Sequence, residues 1–170
     1  MAQKIKKSKS TLTLSKAEKS VEMYDHTHLF EFSDGETLII YPRFRPSTIE
    51  DLLEEYGHLL KSINENVGSP LREKDQIYLL HFLIVKHFSD LKDSFSNEWE
   101  VLLSQFNTFV DSIYFKELME VAFLKEEIQK VWDKANEIVS TLTLMSKLDE
   151  QFREKVNSLE VQNKDLMNNI

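Results

Sequence analysis

Apolar positions along this chain fall into blocks with different periods. His28-Leu29-Phe30-Glu31-Phe32 and Thr37-Leu38-Ile39-Ile40-Tyr41 are β-rich runs separated by Ser33-Asp34-Gly35-Glu36. Asp-Gly between such runs marks a hairpin with a two-residue primed turn, in which both central residues take positive φ. That turn pairs Phe32 with Thr37, Phe30 with Ile39 and His28 with Tyr41 on one face, and Leu29 with Ile40 and Glu31 with Leu38 on the other. A lone hairpin is marginal in water, so other elements must cover it. Pro42 ends the second strand because proline cannot donate to a ladder.

From Ile49 the period lengthens to that of a helix. Ile49, Leu52, Leu53, Tyr56, Leu59, Leu60 and Ile63 form one stripe, with Glu50, Asp51, Glu54, Glu55 and Lys61 opposite. Ser47 and Glu50 have the spacing of a capping box at its start, and Gly68 supplies a stop. Ser69-Pro70 predicts the start of a second helix. Its centre, Ile77 to Val85, is apolar nearly all round, as expected of a core helix enclosed by neighbours. A third helix, capped by Ser94 or Ser96, repeats the broad stripe through Trp99, Leu102, Leu103, Phe106, Phe109, Val110 and Ile113.

The last third follows a seven-residue repeat. Leu124, Val131, Ile138, Met145, Phe152, Leu159 and Leu166 are all apolar. The companion series of Val121, Ile128, Ala135, Leu142, Asp149, Val156, Asn163 and Ile170 is broken only by Asp149 and Asn163. Such spacing predicts a long helix with a coiled-coil-like seam, roughly 75 Å if unbroken at about 1.5 Å per residue. Ser140-Thr141-Leu142-Thr143 is the place for a break, being poor in helix formers. Trp132 and Val139 widen the stripe before that point, and beyond Ser146 it narrows. The seam is therefore the expected partner-binding surface, carried by Met145, Phe152, Val156, Leu159 and Leu166.

The fold class expected is mainly α (α+β): an N-terminal β-hairpin, a helical bundle and a long C-terminal heptad-patterned helix. The expected organisation is a disordered basic arm (1–22), a globular domain (23–140) and a C-terminal amphipathic, coiled-coil-like helix (141–170). The 170 residues are 41% apolar, enough for a single core, with three glycines and three prolines, all before Leu71. The absence of cysteine excludes disulfides and thiolate metal sites. No run is long enough to span a bilayer, and no secretory signal is expected.

Net charge is −8 overall, yet residues 1–20 hold six lysines against Glu18. That arm, the basis of a nucleic-acid or membrane reading, is read instead as a solubilising terminus. The acidic remainder argues against phosphate contacts.

Catalytic chemistry finds little footing. There is no Gly-x-Ser-x-Gly elbow, phosphate loop or His-Glu-x-x-His run. His26 and His28 fall on one side of a strand, a weak metal signal, while His81 and His87 cannot share a helix face. His81, in the most apolar stretch, reads as a core histidine. The pairs Glu54-Glu55 and Glu126-Glu127 read as solvated helix surfaces. Neither enzyme activity, metal nor cofactor is expected. Phe44, between Arg43 and Arg45, is a further partner-binding candidate. The preferred alternative is that it closes the core while the arginines neutralise Glu50 and Glu54.

In sequence order, Leu38-Ile39-Ile40-Tyr41-Pro42-Arg43-Phe44, Ile49-Glu50-Asp51-Leu52-Leu53, Lys86-His87-Phe88, Tyr114-Phe115-Lys116-Glu117-Leu118-Met119 and Glu126-Glu127-Ile128-Gln129-Lys130-Val131-Trp132 resemble the small tail-assembly chaperones of long-tailed phages and prophages of Gram-positive bacteria, over roughly residues 28–140. The resemblance implies a non-enzymatic protein that coats the tape-measure protein, keeps it soluble and helps recruit tail-tube subunits. It implies action in the host cytoplasm, absence from the mature virion, and often a second, frameshifted length. The basic arm and heptad tail lie outside it. The other readings are a structural adaptor that self-associates through its C-terminal coiled coil, as a homo-oligomer, and a factor that uses residues 4–19 on nucleic acid or membrane. The expected partners include neither of those last two.

Overall fold

The computed structural model describes residues 11–167, with side chains to Gln151 and at Arg153. It is mainly helical with one small antiparallel hairpin, as the patterning predicts. The chain divides into two compact units, Met1–Ile128 and Gln129–Ile170.

The first unit opens with a departure from expectation. Residues 14–21, read as irregular, form α1 (Leu14–Val21), capped by Thr13, whose hydroxyl accepts from the Lys16 N–H at 3.4 Å. No α1 residue is buried, and residues 1–10 lie outside the described range.

β1 (His28–Glu31) and β2 (Thr37–Ile40) form the predicted hairpin in a different register. Phe30 faces Leu38, Leu29 faces Ile39, and Glu31 faces Thr37. The Phe32 N–H donates to the Glu36 carbonyl at 2.8 Å, leaving a three-residue loop. A two-residue primed turn needs positive φ at both Asp34 and Gly35, but only Gly35 has it, at 90°. A single left-handed glycine suits a type I turn followed by a bulge. The one-residue slip puts Phe32, Leu38 and Ile40 in the core and leaves Leu29 and Ile39 exposed.

α2 (Pro46–Val67) starts one residue before the expected cap, because Pro46 supplies a helical φ at the first position and Arg45 is the flanking residue. Gly68, at φ 72°, ends it as expected. α3 (Glu73–His87) begins later than Ser69-Pro70 predicts, with Glu73 and Asp75 favourably placed in its first turn. It buries Leu79, Leu80 and Phe82 to Lys86 on all sides, the central position its composition predicts.

A short 3-10 segment (Asp90–Ser94) leads to α4 (Trp99–Val110), flanked by Glu98 rather than by either predicted serine. Ser96 instead closes the preceding turn, its hydroxyl accepting from the Glu98 N–H at 3.0 Å. The predicted third helix stops at Val110. Ile113 opens α5 (Ile113–Glu117), which continues into a π-helical turn, Leu118–Ala122. Phe82 sits among the rings of Phe95, Phe106 and Phe109, at centroid distances of 4.8, 5.6 and 6.1 Å.

α6 (Lys125–Met167) is one 43-residue helix, about 65 Å long. It runs without a break through Ser140–Thr143. The Thr141 and Thr143 hydroxyls donate to the carbonyls of Glu137 and Val139 at 2.9 and 2.8 Å. Those bonds satisfy the hydroxyls inside the helix instead of letting them compete with it.

Candidate functional site

Two arrangements carry enough chemistry to be weighed: a charged cluster inside the first unit, and a bare apolar surface on α6.

The charged cluster joins two helices. Glu55 on α2 faces Lys86 and His87 at the end of α3. Lys86 Nζ lies 2.6 Å from Glu55 Oε1 and 3.4 Å from Asn97 Oδ1, and His87 Nε2 lies 2.7 Å from Glu55 Oε2. The Lys86 side chain is only 3% exposed, against 24% for Glu55. Burial raises the Glu55 carboxyl, but hydrogen bonds from His87 and Lys86 and their charge outweigh it and hold the group below its ordinary range. His87 Nδ1 is buried with no hydrogen-bond partner. The arrangement satisfies a buried ammonium; His87 borders a cavity of about 370 Å³ and Glu55 one of about 510 Å³, while the two side chains are bonded to each other.

A cavity of about 370 Å³ nearby is lined by Arg43, Arg45 and Lys92 and equally by Asp25, Asp90 and Asp93. Arg45 is paired with Asp25 and Arg43 with Glu127, so the positive charge there is already answered. His81 is half-buried beside a second cavity with Lys74, Tyr78, Asp111, Lys116 and Glu120, and burial lowers its imidazole. Among the described residues no three His, Asp or Glu side chains form a metal-binding group.

Phe44 leaves the partner-binding set. It is fully buried, its ring stacked on Phe88 with centroids 3.8 Å apart and 5.6 Å from Phe123. The core-closing alternative is therefore the correct one for Phe44, with Arg43 paired to Glu127 and Arg45 to Asp25. Glu127, expected on a solvated surface, is completely buried. Its carboxylate accepts from the Phe44 N–H at 3.1 Å and from Arg43 at 3.4 Å.

The α6 surface is the opposite case. Val131 is buried, but from Ile138 to Leu148 the large apolar side chains lie open to water. Ile138, Val139, Leu142, Leu144, Met145 and Leu148 are between 37% and 63% exposed. Met145 is thus where the heptad reading requires it, beside Ile138 and Leu142. Phe152, Val156, Leu159 and Leu166 continue the series along the same helix, and their side chains lie outside the described residues. The seam alone misses Leu144 and Leu148, which fall between the two heptad series. Their signal was present in the near absence of charge from Ile138 to Ser146. Among the described residues no helix is long and apolar enough to cross a membrane.

Among the described residues the fold is mainly helical, and a row of exposed apolar side chains runs along α6 from Ile138 to Leu148. The YomO family model matches residues 14–169, nearly the whole described chain, α6 included. The chain is also 31% identical over 154 residues to the SPbeta prophage-derived uncharacterized protein YomO of Bacillus subtilis (strain 168), an alignment covering 88% of this chain and 90% of that one. The chain belongs to the YomO family, and the kinship marks it as phage-derived. Neither match speaks of tail-assembly chaperones, so that likeness rests on the short patterns given above. No solved structure matches.

Proposed function

We propose that this phage-derived chain is a non-enzymatic assembly factor that binds helical segments of other polypeptides through α6, with the tape-measure protein as its partner. The observation that supports this most is the row of exposed apolar side chains from Ile138 to Leu148. A monomer seldom leaves such a surface in water unless something covers it. Helix-in-groove or helix-on-helix contact is the recognition mode that fits, since apolar side chains at heptad spacing meet a partner of the same repeat. A tape-measure protein offers long apolar helical stripes before a tail tube encloses it, and a net charge of −8 helps keep such a complex dispersed. Recruitment of tail-tube subunits, action in the host cytoplasm and absence from the finished particle belong to the same reading.

Co-expression with the tape-measure protein of the same phage tests it. The expected result is a soluble complex that co-purifies, and loss of that complex when Leu142 and Met145 are both changed to lysine. A tape-measure protein that stays insoluble and unbound in excess chaperone overturns the reading.

A further inference from the structure

The apolar surface of α6 is wider than one partner helix needs. At about 100° per residue, Ile138, Val139, Leu142, Leu144, Met145 and Leu148 cover about 220° of the helix circumference. A strict two-series seam is narrower than the stripe of about 100° with which a helix meets a globular core. Leu142, Ile138 and Met145 lie within such a seam, whereas Val139 flanks it on one side and Leu144 and Leu148 on the other. One neighbouring helix leaves a large part of this surface in water.

The polar positions in the same stretch do not oppose enclosure. Between Glu137 and Lys147 there is no charged residue. The Thr141 and Thr143 hydroxyls are already hydrogen-bonded to their own helix backbone, and Ser140 and Ser146 are small. Desolvating this belt strands no charge and leaves neither threonine hydroxyl without a partner.

From the breadth and the lack of charge we infer that residues 138–148 of α6 assemble copies of this chain into a bundle of three or more helices. This rests on the reading of α6 as a polypeptide-binding surface and names a second and third copy as its occupants in the free protein, where a partner's helix would take the place of a copy. Two features favour copies. A 3.5-residue repeat packs continuously only against a helix with the same repeat, which each copy supplies. An acidic chain also repels its own copies wherever charged surfaces meet, and the uncharged belt is where that repulsion is weakest. The six side chains expose on the order of 500 Å² per helix. Two neighbours can cover the whole arc, whereas a single neighbour covers a fraction of it and leaves the rest in water.

The mass of the full chain at tens of micromolar, by light scattering after size exclusion and by sedimentation equilibrium, decides the matter. The expected mass is at least three times the 20.0 kDa of one chain. Leu142→Lys, inside the seam, is expected to give monomer, and Leu144→Lys, outside it, to lower the mass as well. Unchanged thermal unfolding of the first unit, followed by Trp99 fluorescence in a Trp132→Phe background, excludes misfolding as the cause. A monomer, a dimer, or a bundle unmoved by Leu144→Lys overturns the inference. A monomeric chain that still captures the tape-measure protein would leave the proposed function standing while removing this assembly.

Discussion

Removing Glu55 isolates the energetics of the buried charge cluster. In Glu55→Ala the Lys86 ammonium, 3% exposed, loses its 2.6 Å partner and keeps only Asn97 Oδ1 at 3.4 Å. Breaking a buried ion pair from one side costs about 3–5 kcal/mol. The opening at Glu55, 24% exposed, lets water reach one end of the pair and points to the lower end, about 3 kcal/mol. Lys86→Met is the asymmetric counterpart. It removes the buried charge, fills the volume, and leaves Glu55 with His87 and its own access to water, so its expected cost is about 1 kcal/mol or less. The double variant should resemble Lys86→Met, giving a coupling of about 3 kcal/mol. Urea unfolding at pH 7, followed by far-UV circular dichroism and tryptophan fluorescence, measures all three. A Glu55→Ala loss below about 1 kcal/mol, or a Lys86→Met loss larger than it, would refute the assignment of Glu55 as the counter-charge.

The same carboxyl sets an acid dependence. Its folded-state value lies below the ordinary 4.5, so the folded form binds fewer protons than the unfolded chain. Its stabilisation is complete above the unfolded value and disappears as pH falls through the folded one. Wild type should therefore lose more stability than Glu55→Ala in urea titrations repeated from about pH 5.5 to 3. Gly35→Ala should cost about 1–2 kcal/mol in the same assay, since φ is 90° there and no neighbour lies within 4 Å of the added methyl to blame instead. Glu127→Leu should cost about 2 kcal/mol, because it strands the buried Phe44 N–H, and Glu127→Gln clearly less, because an amide oxygen still accepts that bond. Phe44→Ala should cost about 3–5 kcal/mol of stability, and Phe44→Leu, which stays folded more readily, should leave chain mass and partner capture unchanged.

Patterns that repeat along the chain were legible, and those that depend on a crossing of two elements were not. The hairpin, the stripe of α2, the enclosed centre of α3 and the long α6 all follow from local periodicity. The hairpin register did not, because Asp34-Gly35 fits two turn geometries and the choice lies in the φ of one residue. Helix starts were misplaced wherever a serine near the boundary bonded a turn, as Ser96 does, or where a proline began the helix ahead of it, as Pro46 does. Glu55 and Glu127 looked like surface acids because their partners sit 31 and 83 residues away in sequence, a relation fixed only when α2 meets α3 and the Phe44 loop meets the start of α6. Phe44, an exposed anchor in one reading, is buried for the same reason.

The contrast between the two apolar surfaces of this chain bears on what α6 is for. In the core of the first unit apolar side chains are enclosed and the few charges caught among them are answered, Lys86 by Glu55 and Glu127 by Arg43 and the Phe44 N–H, while exposed apolar residues such as Leu29, Ile77 and Ile113 are scattered. That degree of satisfaction shows a sequence able to bury what needs burying. The 138–148 belt breaks the same rule over three turns, with Leu142, Leu144 and Met145 each close to 60% exposed. Exposing a large aliphatic side chain forgoes about 1.5–3 kcal/mol of burial, so six partly exposed ones forgo on the order of 5–10 kcal/mol per chain. A deficit of that size is comparable to the whole stability of a small domain. Fold stability alone does not explain six such positions in eleven residues with no charge from 138 to 146. On the reading proposed above, a surface completed by other polypeptides accounts for them, and α6 is where the chain would act.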